Sequence, residues 1–210
     1  MKSKIEFDDL DKGHQLQLIN LGYANMKPRE KNKAVRQMAL QQRQDYLNEI
    51  EHAAQAEKWE KVCSKILLYP SVMEEAFGIY YDRIPDEMKY KFVVDLYVDK
   101  GDSYENIRHA LTQLRAYGAP ELPDWMKDVI TVYRGTYESM DEAPQSISWT
   151  TDRKVAEFFA NRCFVRYLEE GHVYKGKIRV DDIIVYDDRR NEKEVMQYGS
   201  VYDICEVELN

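Results

Sequence analysis

The sequence predicts an α+β protein, an N-terminal helical bundle followed by a mixed β-sheet half-domain. Three observations carry that expectation. Residues up to about 118 repeat their apolar positions at helical spacing. After Trp125 the period shifts to β-branched runs and alternation. Between the two regimes lies Gly118-Ala119-Pro120-Glu121-Leu122-Pro123, a stretch whose glycine and prolines favour a linker. Helices first and strands afterwards point to α+β, because a parallel α/β sheet would alternate the two. The expected division is residues 1–118 for the helical domain and 119–210 for the sheet domain.

The helical elements follow in order. Leu10, Leu16, Leu18, Ile19 and Leu21 lie in a first helix over residues 8–22, which Gly22 stops. Pro28 opens the next, since its missing N–H falls where a helix has no partner for one. From Arg29 to Leu68 there is neither Gly nor Pro, and Gln, Glu, Ala, Lys and Arg dominate. One helix of that length would span about 60 Å, so a break near Ala56 is expected, with Pro70 as the end. Pro85 opens a helix carrying Met88, Phe92, Val93 and Leu96, with Gly101 beyond it. Asp102 and Glu105 have capping-box spacing for another, through Ile107, Leu111, Leu114 and Tyr117 to Gly118.

The strands come next. Val129-Ile130-Thr131-Val132-Tyr133 is rich in β-branched residues, and a second short strand surrounds Ile147. A helix from about Asp152 to Leu168 turns Val155, Ala156, Phe159 and Cys163 inward. Three further strands are read at Tyr174-Gly176-Ile178-Val180, at Ile183–Tyr186, and at a last run with Val201, Cys205, Val207 and Leu209.

Composition limits what the chain can be. Over 210 residues it is 44% hydrophobic and 12% aromatic, enough for a core. Its net charge of −8 disfavours general nucleic-acid binding, which needs an excess of cations to neutralise phosphates. Cys63, Cys163 and Cys205 are sparse and unpaired in spacing, as expected of reduced thiols. The N-terminus turns acidic before any apolar run, unlike a secretory signal, and no stretch approaches the roughly 20 apolar residues of a membrane span. A soluble, cytoplasmic protein is predicted. His14, His52, His109 and His172 have no ligand spacing to one another, so no metal site is expected.

Three short segments carry the chemistry. Val132-Tyr133-Arg134-Gly135 ends a strand in an arginine able to fork onto an anion, and in a glycine that lets a backbone or ligand approach. Ser146-Ile147-Ser148-Trp149-Thr150-Thr151-Asp152 runs into a helix. In Arg190-Asn191-Glu192-Lys193-Glu194-Val195-Met196, two carboxylates at i and i+2 point the same way if the segment is extended. Each segment alone has an ordinary reading: a turn glycine, a helix cap, a solvated charged loop.

Taken together and in this order, the segments resemble the mono-ADP-ribosyltransferases of the Arg–Ser–Glu class, most of all the small versions of bacteria, phages and prophages. The resemblance covers roughly residues 125–210, with a weaker echo over 85–118. It implies an ADP-ribosyltransferase-like sheet half-domain and NAD as co-substrate. By resemblance Arg134 grips the NAD phosphates, Ser148 positions the catalytic Glu194, and Glu192 goes with an arginine acceptor on a protein target. Gly135, Trp149 and Thr150 complete the expected NAD-binding set, although Trp149 stands where many members have Thr. Phe158, Phe159 and Phe164 are candidates for the ring stacking on nicotinamide, the first two also reading as core. Tyr133 is a candidate for the adenosine side.

The implied function is transfer of ADP-ribose from NAD to a protein arginine, in a toxin-like or phage setting. Three alternatives stay open from sequence. One is NAD glycohydrolysis. Another is modification of a nucleic-acid base, kept open by the basic stripe over Lys27–Lys33 and Arg36. The last is a non-catalytic binding module on the same fold.

Overall fold

The structure, a computed structural model, describes residues 5–100, 105–167 and 170–209. Helix α1 (Lys12–Asn20) starts at Asp11, whose carboxylate accepts from the His14 N–H at 2.9 Å. The chain leaves it through Gly22 at φ 81°, a left-handed conformation that favours glycine. Helix α2 (Pro28–Gln55) carries proline in its first turn, and Glu30 reaches back to the Lys27 N–H at 2.8 Å. The expected break follows at Ala56, where Glu57 turns to φ 53° before α3 (Trp59–Leu68). An additional helix, α4 (Met73–Tyr80), fills the stretch between Pro70 and Pro85, to which the sequence reading assigns no element. Leu10, Leu18, Val35 and Met38 form the apolar seam between α1 and α2.

Helix α5 (Asp86–Lys100) follows Pro85, and α6 (Glu105–Thr112) buries Ile107, Ala110 and Leu111. The stop at Gly101 and the cap at Asp102 lie outside the described residues. The last helix was expected to reach Gly118, but α6 ends at Thr112 and a short 3-10 turn carries Leu114–Ala116. Contacts divide the chain into two compact units, one ending at Met88 and one beginning at Lys89. The second takes in α6 and most of α5. Tyr90 Oη donates to the Ile184 carbonyl, and Tyr198 Oη donates to the Arg108 carbonyl, each at 3.0 Å.

The second unit is built on a six-stranded sheet in the order β4-β5-β2-β1-β3-β6. Its strands are β1 (Val129–Thr136), β2 (Ser148–Thr150), β3 (His172–Arg179), β4 (Val185–Asp187), β5 (Glu194–Met196) and β6 (Tyr202–Val207). All pairings among the described residues are antiparallel, which corrects the expectation of a mixed sheet. Parallel neighbours need a long crossover returning in the same direction. The long helix between strands, α7 (Arg153–Tyr167), links β2 to β3, and β1 lies between those two in the sheet.

One sheet face carries the core of Ile130, Val132, Trp149, Tyr174, Ile178 and Val195. Helix α7 covers part of the other, packing Ala156 and Ala160 beside Val173. Small residues set how close it comes. A Cβ on Gly135 would lie 1.8 Å from the Ala156 carbonyl oxygen, and one on Gly171 would lie 2.0 Å from that of Ala160. Both glycines are therefore required by backbone contact with α7.

Candidate functional site

Strand register decides which side chains share a face. Trp149 lies directly opposite Val195, and both rest in the apolar core. Side chains alternate along a strand, so Ser148 and Thr150 of β2 and Glu194 of β5 lie on the opposite face, with Thr150 directly across from Glu194. Beside them the ladder between β1 and β2 consists of one pair, Tyr133 with Thr150. Two residues along, the Ser148 carbonyl takes its hydrogen from a side chain, Arg134 Nη1, at 2.7 Å. A cleft of about 450 Å³ opens here, within the range typical of small-molecule sites, roughly 300–1000 Å³. Arg134, Ser148, Glu192 and Glu194 all line it.

Glu194 is held at both of its carboxylate oxygens. Its side chain is 7% exposed. Oε1 accepts from Ser148 Oγ at 2.5 Å and from Tyr97 Oη at 2.9 Å, and Oε2 accepts from Arg190 Nη2 at 2.9 Å. Three donors thus fix both oxygens of one buried carboxylate, and charge-assisted bonds of this kind are the strong ones. Arg190 Nη2 also lies 2.9 Å from Glu192 Oε2, so a single nitrogen bridges the two carboxylates. Burial pushes the Glu192 carboxyl above its ordinary range, Arg190 pulls it down, and the charges of Glu194 and Asp187 add to the rise.

The two glutamates converge by a different route from the one the sequence suggests. An extended segment would have aligned them, but β5 begins only at Glu194, and Asn191 and Lys193 stand at φ 56° and 47°. Asn tolerates that conformation, whereas for Lys it carries a strain of about 1–3 kcal/mol that surrounding contacts must offset. The contacts are present. The Glu192 carbonyl accepts from Thr150 Oγ1 at 2.6 Å, the Lys193 carbonyl from the Thr151 N–H at 3.1 Å, and Lys193 Nζ reaches Asp152 at 2.8 Å.

Arg134 is itself held in place. Its Nε and Nη2 donate to Glu138 Oε2 at 3.1 and 2.9 Å, and Ser146 Oγ donates to the same oxygen at 2.6 Å. Burial would raise the Glu138 carboxyl, but Ser146 and Arg134 outweigh it and hold the group below the ordinary range. Among the described residues the guanidinium spends three of its five N–H groups on Glu138 and the Ser148 carbonyl, and two are left for a ligand.

The remaining expected residues fall as follows. The Trp149 ring lies in the core, 2% exposed, with Nε1 donating to the Ser146 carbonyl at 3.1 Å, so its side chain stays off the cleft face. Thr150 is a structural joint, donating to the Glu192 carbonyl and accepting from the Asp152 N–H. Gly135 borders the cleft, but what approaches it closely is α7. Tyr133 lines the cleft and packs partly against Ala156, Ala160 and Val173. Phe158 and Phe159, which also read as core, are 55% and 38% exposed. Helix α7 meets the sheet through Ala156 and Ala160, and both phenyl rings lie outside that contact. Phe159 instead lines the cleft wall. The Phe164 side chain lies outside the described residues.

Sequence reasoning missed Tyr97, Glu138 and Arg162. Arg162 lies at the cleft with its guanidinium 5.2 Å from the Phe158 ring centroid and no carboxylate partner among the described residues. Tyr97 comes from α5, far from Glu194 in sequence, and no local motif marks it. Among the described residues no cluster of three or more His, Cys, Asp or Glu could hold a metal ion, and no helix is long and apolar enough to cross a membrane.

The arrangement can bind an anion through two arginines, pack an aromatic ring against Phe159, and set a fixed carboxylate beside both. Compared with known proteins, the chain matches no family model, no curated protein and no solved structure.

Proposed function

We propose that the second unit is an ADP-ribosyltransferase-like domain that cleaves NAD and transfers ADP-ribose to an arginine of a protein target, releasing nicotinamide. The observation that carries this reading is the Glu194 carboxylate, fixed by Ser148, Tyr97 and Arg190 in the same cleft as a partly free Arg134.

The chemistry requires such a set. The NAD diphosphate is dianionic, and guanidinium groups at Arg134 and Arg162 match its oxygens as forks. The bond from nicotinamide N1 to ribose C1′ breaks with its electron pair leaving on nicotinamide, which becomes neutral. The ribose then has oxocarbenium character, the electronic problem that glycosidases solve with carboxylates. Glu194, held in advance, stabilises that charge without reorganising, an effect typically about 3–4 kcal/mol, or roughly 100- to 1000-fold in rate. A guanidino nitrogen of the acceptor forms the new bond to C1′, and Glu192 accepts the proton it loses. The raised affinity of Glu192 for a proton suits that role.

The test is incubation of the purified protein with labelled NAD and agmatine, a small guanidino acceptor, with chromatography of the products. ADP-ribosyl-agmatine and nicotinamide are expected. Free ADP-ribose alone would replace transfer by hydrolysis, and intact NAD would overturn the reading.

A further inference from the structure

Arg190 occupies a position that the proposed reaction needs for something else. Its Nη2 lies 2.9 Å from Glu192 Oε2 and 2.9 Å from Glu194 Oε2. The two carboxylates that would receive an acceptor guanidinium thus already hold one from the chain itself. The hold is not deep. The Arg190 side chain is 47% exposed, and its second contact, Nη1 to the Val98 carbonyl, is long at 3.4 Å. Its neighbour Arg189 is engaged elsewhere, donating to Asp187 at 2.8 Å and to Asp95 at 2.6 Å, so it does not compete for the glutamates.

We propose that Arg190 is an internal occupant of the acceptor subsite, a guanidinium that a substrate arginine must displace from between Glu192 and Glu194. The inference rests on the transferase reading and adds the way in which its acceptor side is regulated. A side chain tethered four residues from Glu194 competes at a high effective concentration, of millimolar order or above. The apparent affinity for a free guanidinium falls by the fraction of time the subsite stands open. With Arg190 seated, its guanidinium pairs with both carboxylates; its swing into solvent admits the acceptor, while Ser148 and Tyr97 still hold Glu194 through Oε1. An exposed arginine can make that swing without unfolding any element.

The experiment needs no NAD. Agmatine is titrated calorimetrically into the full chain, as wild type, as Arg190→Gln, and as Arg190→Gln/Glu192→Gln. Circular dichroism and thermal melting check the fold of each, and Arg190→Ala takes the place of the Gln variant if that one does not fold. The expected result is binding to Arg190→Gln at least tenfold tighter than to wild type, with the gain lost in the double variant. Equal or weaker binding to Arg190→Gln overturns the proposal. So does a gain that survives Glu192→Gln, because agmatine would then be binding elsewhere. Nicotinamide release is measured separately on the wild type. A protein that shows the agmatine pattern but leaves NAD intact keeps the guanidinium subsite and loses the transferase reading.

Discussion

Ser148 and Tyr97 donate to the same oxygen of Glu194, and that shared acceptor makes a quantitative prediction. A hydrogen bond to a charged group is typically about 1.5–3 kcal/mol. Ser148→Ala removes one such bond from a carboxylate that is 7% exposed, where water replaces the donor poorly. Tyr97 Oη remains on Oε1 and Arg190 on Oε2, so the loss belongs at the low end, about 1.5 kcal/mol, or roughly tenfold in kcat for nicotinamide release. Tyr97→Phe is expected to cost a similar factor. The double variant strips Oε1 of both donors and is expected to lose more than the product of the two single effects, beyond roughly 100-fold, because each donor masks the absence of the other. The assay is nicotinamide release at saturating NAD for the four proteins of the cycle, with KM followed in parallel. A Ser148→Ala variant as damaged as Glu194→Ala, or a double variant no worse than the poorer single one, would refute the shared-acceptor role of Glu194 Oε1.

Other expectations follow from neighbouring contacts. Glu192→Gln keeps the shape of the residue and removes its basicity. It should lower transfer to agmatine at least tenfold while NAD hydrolysis falls far less, and equal loss of both in a product-resolved assay would argue against a role towards the acceptor. Gly135→Ala puts a Cβ within 1.8 Å of the Ala156 carbonyl oxygen, a backbone collision beyond ordinary overpacking at about 1–3 kcal/mol. A clear fall in the denaturant midpoint is expected, and an unchanged midpoint would contradict the packing of α7. His14 lies between Asp11 and Asp45, with Nδ1 2.9 Å from Asp11 Oδ2 and Nε2 3.1 Å from Asp45 Oδ2. Burial alone would lower its pKa, but the two carboxylates outweigh it and raise the group above 6.5. A raised histidine stabilises the fold below its unfolded pKa, and that stabilisation is lost as pH rises through the folded value. The stability difference between wild type and His14→Gln should therefore shrink as pH rises from 6 to 9, and a constant difference in urea titrations would contradict this.

How much of the site is legible in sequence depends on how locally each residue's role is encoded. Arg134, Ser148 and Glu194 each belong to a short segment with its own chemical signature, and all three line one cleft. Trp149 shares the segment of Ser148, yet alternation along β2 sends its ring into the core, because neighbours in a strand face opposite sides. Period alone did not say which of the two faces the cleft. Gly135 was legible as a close-approach glycine, but what it approaches depends on where α7 packs. Phe158 and Phe159 look like core residues to any apolar periodicity, and only the alanine contact surface of α7 leaves them outside. Tyr97 and Glu138 act through long-range or turn geometry that carries no motif. The helical half was read from apolar spacing and from caps at Pro28 and Gly22. That reading missed α4, which has only eight residues and begins just after Pro70.

In the proposed reaction the Glu194 carboxylate carries the breaking of the nicotinamide–ribose bond. The direct measurement is nicotinamide released from NAD by the wild-type protein and by Glu194→Gln, which keeps the residue's size and removes its charge. Release by the wild type, with at least a 100-fold loss in a folded Glu194→Gln variant, is the predicted result. Equal rates in the two proteins, or no release by either, would contradict it.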